Sequence, residues 1–154
     1  MSLGNMQVRS PFMIFFVSLW DTGADAEIRK SIYSRADAVM ICFSVDHDEE
    51  TIREVLKEFV NESMNVSKNI FLVGTKTELR SKKGNQIQYK KGKELAKELR
   101  LQGYFECSAQ SDHGSVSDVF KGVAKKASEE KDLLAAIRLF FNLHLCTTNK
   151  NIEN

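Results

Sequence analysis

The residues able to do ligand chemistry fall in three short polar turns: Trp20-Asp21-Thr22, Thr75-Lys76-Thr77-Glu78 and Glu106-Cys107-Ser108-Ala109. Each follows an apolar run. The clearest is residues 69–78, NIFLVGTKTE, in which Ile70, Phe71, Leu72 and Val73 end at Gly74. A short apolar run bounded by glycine reads as a strand buried on both faces, as in a parallel sheet. In open α/β sheets ligands sit beyond the carboxyl ends of such strands, so the polar turn there is a candidate ligand-reading turn. A polar loop after any core strand of an α/β domain has the same look, and the turn alone does not decide.

Other chemistries find little support. Cys42, Cys107 and Cys146 are odd in number, widely spaced and free of CxxC spacing. Cys42 and Cys107 lie in apolar, strand-like runs, where cysteine behaves as a small hydrophobe, and a reducing intracellular compartment fits that usage. His47, His113 and His144 show no metal-ligand spacing. A formal net charge of +1 gives no argument for a nucleic-acid partner. The basic clusters at Lys82-Lys83, 90–93 and 121–126 read as solvated faces. The apolar patch at 12–19 is too short to span a bilayer and lacks a small-residue cleavage site after it. The final residues form no prenylation box.

The elements that must position the turns alternate. With 154 residues and 42% hydrophobic content, a single domain with a substantial core is expected. Residues 6–9 suit a short edge strand before the Ser10-Pro11 turn. Residues 12–20 (FMIFFVSLW) favour a strand through aromatic and branched side chains. Residues 26–35 read as a short helix, and 38–45 (AVMICFSV) as a second doubly buried strand. Ile52, Val55, Leu56, Phe59 and Val60 have helical spacing behind an acidic start at 46–50. The strand at 69–74 follows, then a loop at 81–88 containing Gly84-Asn85. A helix at 89–100 turns Leu95, Ala96 and Leu99 inward. Residues 103–107 (GYFEC) suit a short strand, and a last helix from Ser115 carries Val116, Val119, Phe120, Val123 and Ala127. Strands alternating with helices of this length indicate βαβ units and an α/β fold with a mainly parallel sheet flanked by helices.

The order of the turns resembles the Ras superfamily of small GTPases, most of all its Rho branch. The segments that carry the likeness are SLWDT, ICFSV, LVGTK with ELR following, and YFECSAQ, over roughly residues 5–127. By this resemblance the nucleotide-binding residues are Thr75, Lys76, Glu78, Ser108 and Ala109, and the ligands are GTP or GDP with Mg2+. Asp21 matches the aspartate that holds the magnesium through water. Lys76 matches the lysine whose stem covers the guanine face. Glu78 matches the acidic acceptor of the ring N–H and amino group, a two-oxygen match to two donors. Ser108 and Ala109 match the turn that supports that contact and offers a backbone N–H to the guanine carbonyl.

The sequence also departs from the family pattern. No G-x-x-x-x-G-K-[ST] phosphate loop occurs among these residues. The strand expected before that loop is missing too, as is the threonine-bearing switch segment. After Asp21-Thr22-Gly23, the family's glycine position is Ala24 and its water-orienting glutamine position is Asp25, a carboxylate that would repel phosphate and cannot donate to it. At the base-reading position, aspartate has become Glu78. No catalytic residue is therefore assigned. The expectation is a degenerate, Rho-like pseudo-GTPase in signal transduction, binding GTP weakly or not at all. The alternative is an N-terminally truncated form of an active, GTP-hydrolysing small GTPase.

In this fold the missing strand lies between those at 12–20 and 38–45, and its absence would leave two rows of backbone groups unpartnered. Three outcomes stand open: the neighbours close up, a second chain donates a strand to give a homodimer, or the product is unstable. Past Ala127 an apolar helical pattern continues through Leu133, Ile137, Phe140, Phe141 and Leu145. It sets a division into a truncated small-GTPase-like domain, 1–127, and a C-terminal helix extension and tail, 128–154. That helix would pack back onto the domain, into the open space, or contact a partner or membrane surface. Effector or regulator proteins are the partners the resemblance implies, with a cytoplasmic or membrane-peripheral location.

Overall fold

In the computed structural model, residues 2–9, 14–22, 25–64, 69–80, 86–129 and 137–142 are described. The Ser10-Pro11 turn, residues 12 and 13, Gly23 and Ala24, Lys82-Lys83, Gly84-Asn85, and Leu133, His144, Leu145 and Cys146 lie outside them. Strands β1 (Ser2–Arg9), β2 (Ile14–Asp21), β3 (Ala38–Ser44), β4 (Ile70–Thr75), β5 (Gly103–Glu106) and β6 (Ile137–Asn142) form one six-stranded sheet in the order β1-β2-β6-β3-β4-β5. β1 pairs antiparallel with β2, and every other pairing is parallel.

The helices α1 (Ala26–Tyr33), α2 (Glu49–Met64), α3 (Tyr89–Glu98) and α4 (His113–Glu129) cover both faces. β3 shows why two helical layers are needed. Met40 and Cys42 join Val119, Val123 and Ala127 of α4 on one face. Val39, Ile41 and Phe43 join Ile52, Leu56 and Phe59 of α2, with Leu95 of α3, on the other. A strand apolar at every position has to be covered twice. Burial pushes the Cys42 thiol pKa up, with Cys107 adding to it, so Cys42 acts as a small core hydrophobe.

An aspartate just ahead of the helix caps α1, α2 and α4. Asp25 Oδ1 accepts from the backbone N–H of Glu27 and Ile28 at 2.9 and 3.0 Å. Asp48 Oδ1 accepts from Thr51 N–H at 3.0 Å, and Asp112 Oδ1 from Ser115 N–H at 3.1 Å. Each satisfies N–H groups that have no partner inside the helix. α1 docks through Arg29, which is buried, lies 4.9 Å over the ring of Phe59 and reaches Glu58 at 3.6 Å.

The C-terminal segment corrects the sequence reading. The apolar pattern from Leu133 to Leu145 was expected to continue the last helix. Instead α4 ends at Glu129 and residues 137–142 form β6. β6 lies between β2 and β3, in register from Val17↔Ile137 to Asp21↔Phe141 and from Ala38↔Leu139 to Ile41↔Asn142. The physical reason is non-local. IRLFFN suits a short buried strand as well as a helix turn, and two unpartnered strand edges supply partners that no helix could use. The gap left by the missing strand is filled from within the chain, so neither closure of the neighbours nor a donated strand is needed to satisfy it.

Candidate functional site

The polar turns project from the carboxyl ends of β2, β3, β4 and β5. Among the described residues, Thr22 Oγ1, Ser44 Oγ, Asp46 Oδ1 and Glu78 Oε2 are buried side-chain oxygens without a hydrogen-bond partner. All four lie at or just past the carboxyl end of β2, β3 or β4. Buried polar groups are nearly always satisfied, so this concentration marks an edge built to meet something polar.

The turn after β4 is tied to both neighbouring strands. Thr75 Oγ1 donates to the Phe43 carbonyl at 3.0 Å, tying it to β3. Lys76 adopts a left-handed backbone, φ 58° and ψ 43°, and reverses the chain into the single 3-10 turn Thr77–Leu79. Thr77 N–H donates to the Cys107 carbonyl at 3.4 Å and Cys107 N–H to the Gly74 carbonyl at 2.9 Å, which joins this turn to the one after β5. The nearby Ser44 hydroxyl holds the Asp46 carboxyl below the usual carboxylate range, with smaller contributions from His47 and the Lys76 ammonium. Ser44 Oγ itself stands outside hydrogen-bonding geometry, so its effect is that of a close dipole. Burial pushes the Cys107 thiol up, and the neighbouring Glu78 and Glu106 charges push it further.

Ser108 is buried and thoroughly engaged. Its Oγ accepts from Ser111 N–H and Oγ–H at 2.9 and 2.8 Å, and its own N–H donates to Ser115 Oγ at 3.0 Å. Ala109, next in the turn, is exposed. Thr75, Lys76, Glu78, Ser108 and Ala109 therefore come together at one end of β4 and β5. Asp21 does not join them. It ends β2, with β6 and β3 standing between it and β4. Three strand spacings of about 4.8 Å put it roughly 14 Å to the side. Asp25, at the glutamine position, gives its Oδ1 to the N-terminus of α1.

One supporting network was not anticipated from sequence. The Arg80 guanidinium forks onto both oxygens of Glu106, with Nη1 donating to Oε2 at 3.0 Å and Nη2 to Oε1, while Nε donates to the Ile87 carbonyl at 2.9 Å. Tyr104 Oη donates to Glu106 Oε1 at 2.6 Å. The paired Glu106 raises the Arg80 pKa, and burial followed by Glu106 raises that of Tyr104. A bidentate pair of this kind sets orientation as well as energy, and here it clamps the end of the β4 turn onto β5. The Tyr104 ring occupies space that only glycine leaves open: a Cβ on Gly74 or Gly92 would collide with it. The signal available in the sequence was Arg80 and Glu106 beside two recognised turns.

The residues present fit the two halves of a nucleotide differently. A purine base could find an acceptor in the orphaned Glu78 Oε2 and a cover in the Lys76 stem. For phosphates and magnesium the described residues show no comparable set. The sequence after β6, residues 143–150, is LHLCTTNK, which does not match the G-x-x-x-x-G-K-[ST] pattern. Among the described residues no group of three or more His, Cys, Asp or Glu could hold a metal ion.

Fold and turns define a mainly parallel α/β domain with its polar groups gathered at the carboxyl edge. A Ras family model matches residues 6–129. The chain is 32% identical over 126 residues to the Rho-related protein racI of Dictyostelium discoideum, covering 71% of this chain and 61% of that protein. It is 33% identical over 119 residues to the Rho-related GTP-binding protein RhoE of Homo sapiens, covering 68% and 48%. To the GTP-binding protein RHO1 of Saccharomyces cerevisiae it is 28% identical over 124 residues, covering 71% and 58%. The chain belongs to the Ras family of small GTPases, on its Rho branch. It spans between 48% and 61% of the length of these relatives. No helix among the described residues is long and apolar enough to cross a membrane.

Proposed function

We propose that this chain is a pseudo-GTPase: a Rho-like protein that keeps a guanine-reading half-site and lacks the phosphate-holding half. It binds GTP or GDP weakly or not at all, does not hydrolyse GTP, and acts in signalling by contacting effector or regulator proteins. The observation that carries this reading is the position of β6 between β2 and β3, where the family's phosphate-loop strand would stand. Phosphoryl transfer in this class depends on positioning and charge stabilisation, and the sequence following β6 does not match the G-x-x-x-x-G-K-[ST] pattern.

In the half-site, Lys76 would lie over the guanine face and Glu78 would accept from its ring N–H and amino group. The turn at Ser108 and Ala109 would back that contact, with Thr75 anchoring the β4 turn. Bound Mg2+ would supply charge neutralisation for phosphates, and Asp21 is the residue that would hold it through water. The protein purified without added nucleotide, then denatured and chromatographed, should release far less than one GDP or GTP per chain. Stoichiometric nucleotide would refute the proposal.

A second reading is favoured by the partial coverage of the relatives. In a longer chain with a phosphate loop ahead of residue 1, that loop's strand and β6 would compete for one place in the sheet. Coding sequence upstream that encodes a glycine-rich loop would support this reading.

A further inference from the structure

We propose that the outer edge of β5 is a docking groove for an acidic, extended peptide segment of a partner protein. β5 ends the sheet and is paired only with β4 among the described residues, from Phe71↔Gly103 to Gly74↔Glu106. Gln102 N–H donates inward to the Ile70 carbonyl at 2.8 Å. By strand alternation the N–H groups of Gly103 and Phe105 point away from β4. Such an edge is a template for one more strand.

A groove of about 510 Å³ runs along this edge. Tyr104 and Phe105 line it from the strand, Lys93, Lys97 and Arg100 from α3 and its end, and Lys126 from α4. Successive residues of β5 turn to opposite faces, Tyr104 with the α3 layer and Phe105 with the α4 layer. What joins the two halves of the groove is the strand edge itself. An extended chain would lay alternate side chains against the α3 cations and against Lys126, whereas a compact anion would meet one side.

The charge is one-sided. No aspartate or glutamate lines the groove, and none of its four cations is ion-paired among the described residues. Lys93 lies 5.6 Å over the Tyr89 ring, and Lys126 lies 5.7 Å over Phe105 and donates to the Gln102 carbonyl at 3.4 Å. Lys91 and Lys121 of the same helices are paired, with Glu49 and Asp118, while Lys90 and Lys125 join the groove cations in having no ion pair among the described residues. With a net charge of only +1, the chain has concentrated unneutralised positive charge here. Lysines along an edge discourage pairing with a neutral or basic strand, and they favour an acidic one.

Arg100 adds an independent observation. Its φ is 57°, a left-handed conformation that glycine or asparagine adopts more easily. It closes α3, with Leu101 N–H donating to the Ala96 carbonyl at 2.8 Å, and sets its side chain at the groove. A strained arginine where glycine would serve as a helix terminator points to use of the guanidinium.

The test uses the full chain and a fluorescein-labelled peptide of alternating glutamate and valine, seven residues long, followed by fluorescence polarisation. Saturable binding is expected, with new amide-exchange protection at Gly103 and Phe105. Lys97→Glu and Arg100→Glu should each weaken it, by about tenfold when combined. Lys97 is exposed, so Lys97→Glu alone keeps the test decisive should Arg100→Glu fail to fold. The proposal is overturned if a proline-interrupted version of the peptide binds equally well, if the lysine–valine counterpart binds as tightly, or if Lys97→Glu leaves binding unchanged. Protein that instead binds only phosphatidylserine vesicles, with no affinity for the peptide, also overturns it.

Discussion

Leu139→Pro should unfold the centre of the sheet. Leu139 lies in β6 opposite Leu19 on one side and Ala38 on the other. β6 makes five register pairs with β2 and four with β3. At about 0.5–1.5 kcal/mol net for each ladder hydrogen bond, roughly one per pair, the strand contributes about 5–13 kcal/mol of backbone pairing. That is the scale of a whole domain's stability, about 5–15 kcal/mol. Proline removes one donor, leaves the facing carbonyl buried without a partner, and cannot sit in a central strand without displacing its neighbours. A loss of about 3 kcal/mol or more follows from the donor and the orphaned carbonyl together. With a urea slope of about 2 kcal/mol/M, the denaturation midpoint should fall by roughly 1.5 M. Amide exchange should localise the damage, with protection lost at Val17–Asp21 and Ala38–Ile41. A variant with an unchanged midpoint and unchanged protection on β2 and β3 would show that β6 does not complete the sheet.

Three further outcomes follow from the same structure. Arg80→Ala strips a carboxylate of its fork in a setting where both side chains are under one-fifth exposed. It should cost about 2–4 kcal/mol in thermal or chemical denaturation, and Arg80→Lys should recover only part, because an ammonium cannot engage both oxygens. Gly92→Ala gains about 1 kcal/mol of helix propensity but drives a methyl into the Tyr104 ring, so net destabilisation of about 1–3 kcal/mol is expected, and a stabilised variant would refute the packing. Bonds from Thr51 N–H and its hydroxyl lower the Asp48 pKa below 3.8. The stabilisation this cap gives is therefore full above that unfolded value and lost as pH falls through the lower folded one. An acid titration followed by circular dichroism should show Asp48→Ala converging on the parent in that window and differing from it at neutral pH.

What was legible in the sequence was local. The runs through Val39–Phe43 and Ile70–Val73 are apolar at every position and form strands covered on both faces, as read. The helices follow their apolar spacing, and Lys76, Glu78 and Ser108 gather at one sheet edge as the order of the turns implied. What was not legible depended on pairing between distant segments. The apolar positions from Leu133 to Leu145 satisfy a helical period, and only the unpartnered edges of β2 and β3 decide that residues 137–142 extend instead. Arg80 and Glu106 are 26 residues apart and meet because β4 and β5 pair, so no local pattern announces their fork. Lys93 and Lys126 are exposed, as solvated faces require, and that they flank the end of the sheet depends on β5 pairing with β4, which no local pattern announces.

The central claim is a guanine-reading half-site without a phosphate-holding half, and the affinity ratio of guanosine to GDP tests it most directly. Calorimetric titration of the full chain with each ligand, in Mg2+ buffer, would measure that ratio. If Lys76 and Glu78 act alone, guanosine and GDP should bind comparably and weakly, within about tenfold of each other, since the phosphates add little free energy, and Glu78→Gln should weaken both alike. GDP binding about a thousandfold tighter than guanosine, dependent on Mg2+, would contradict the account.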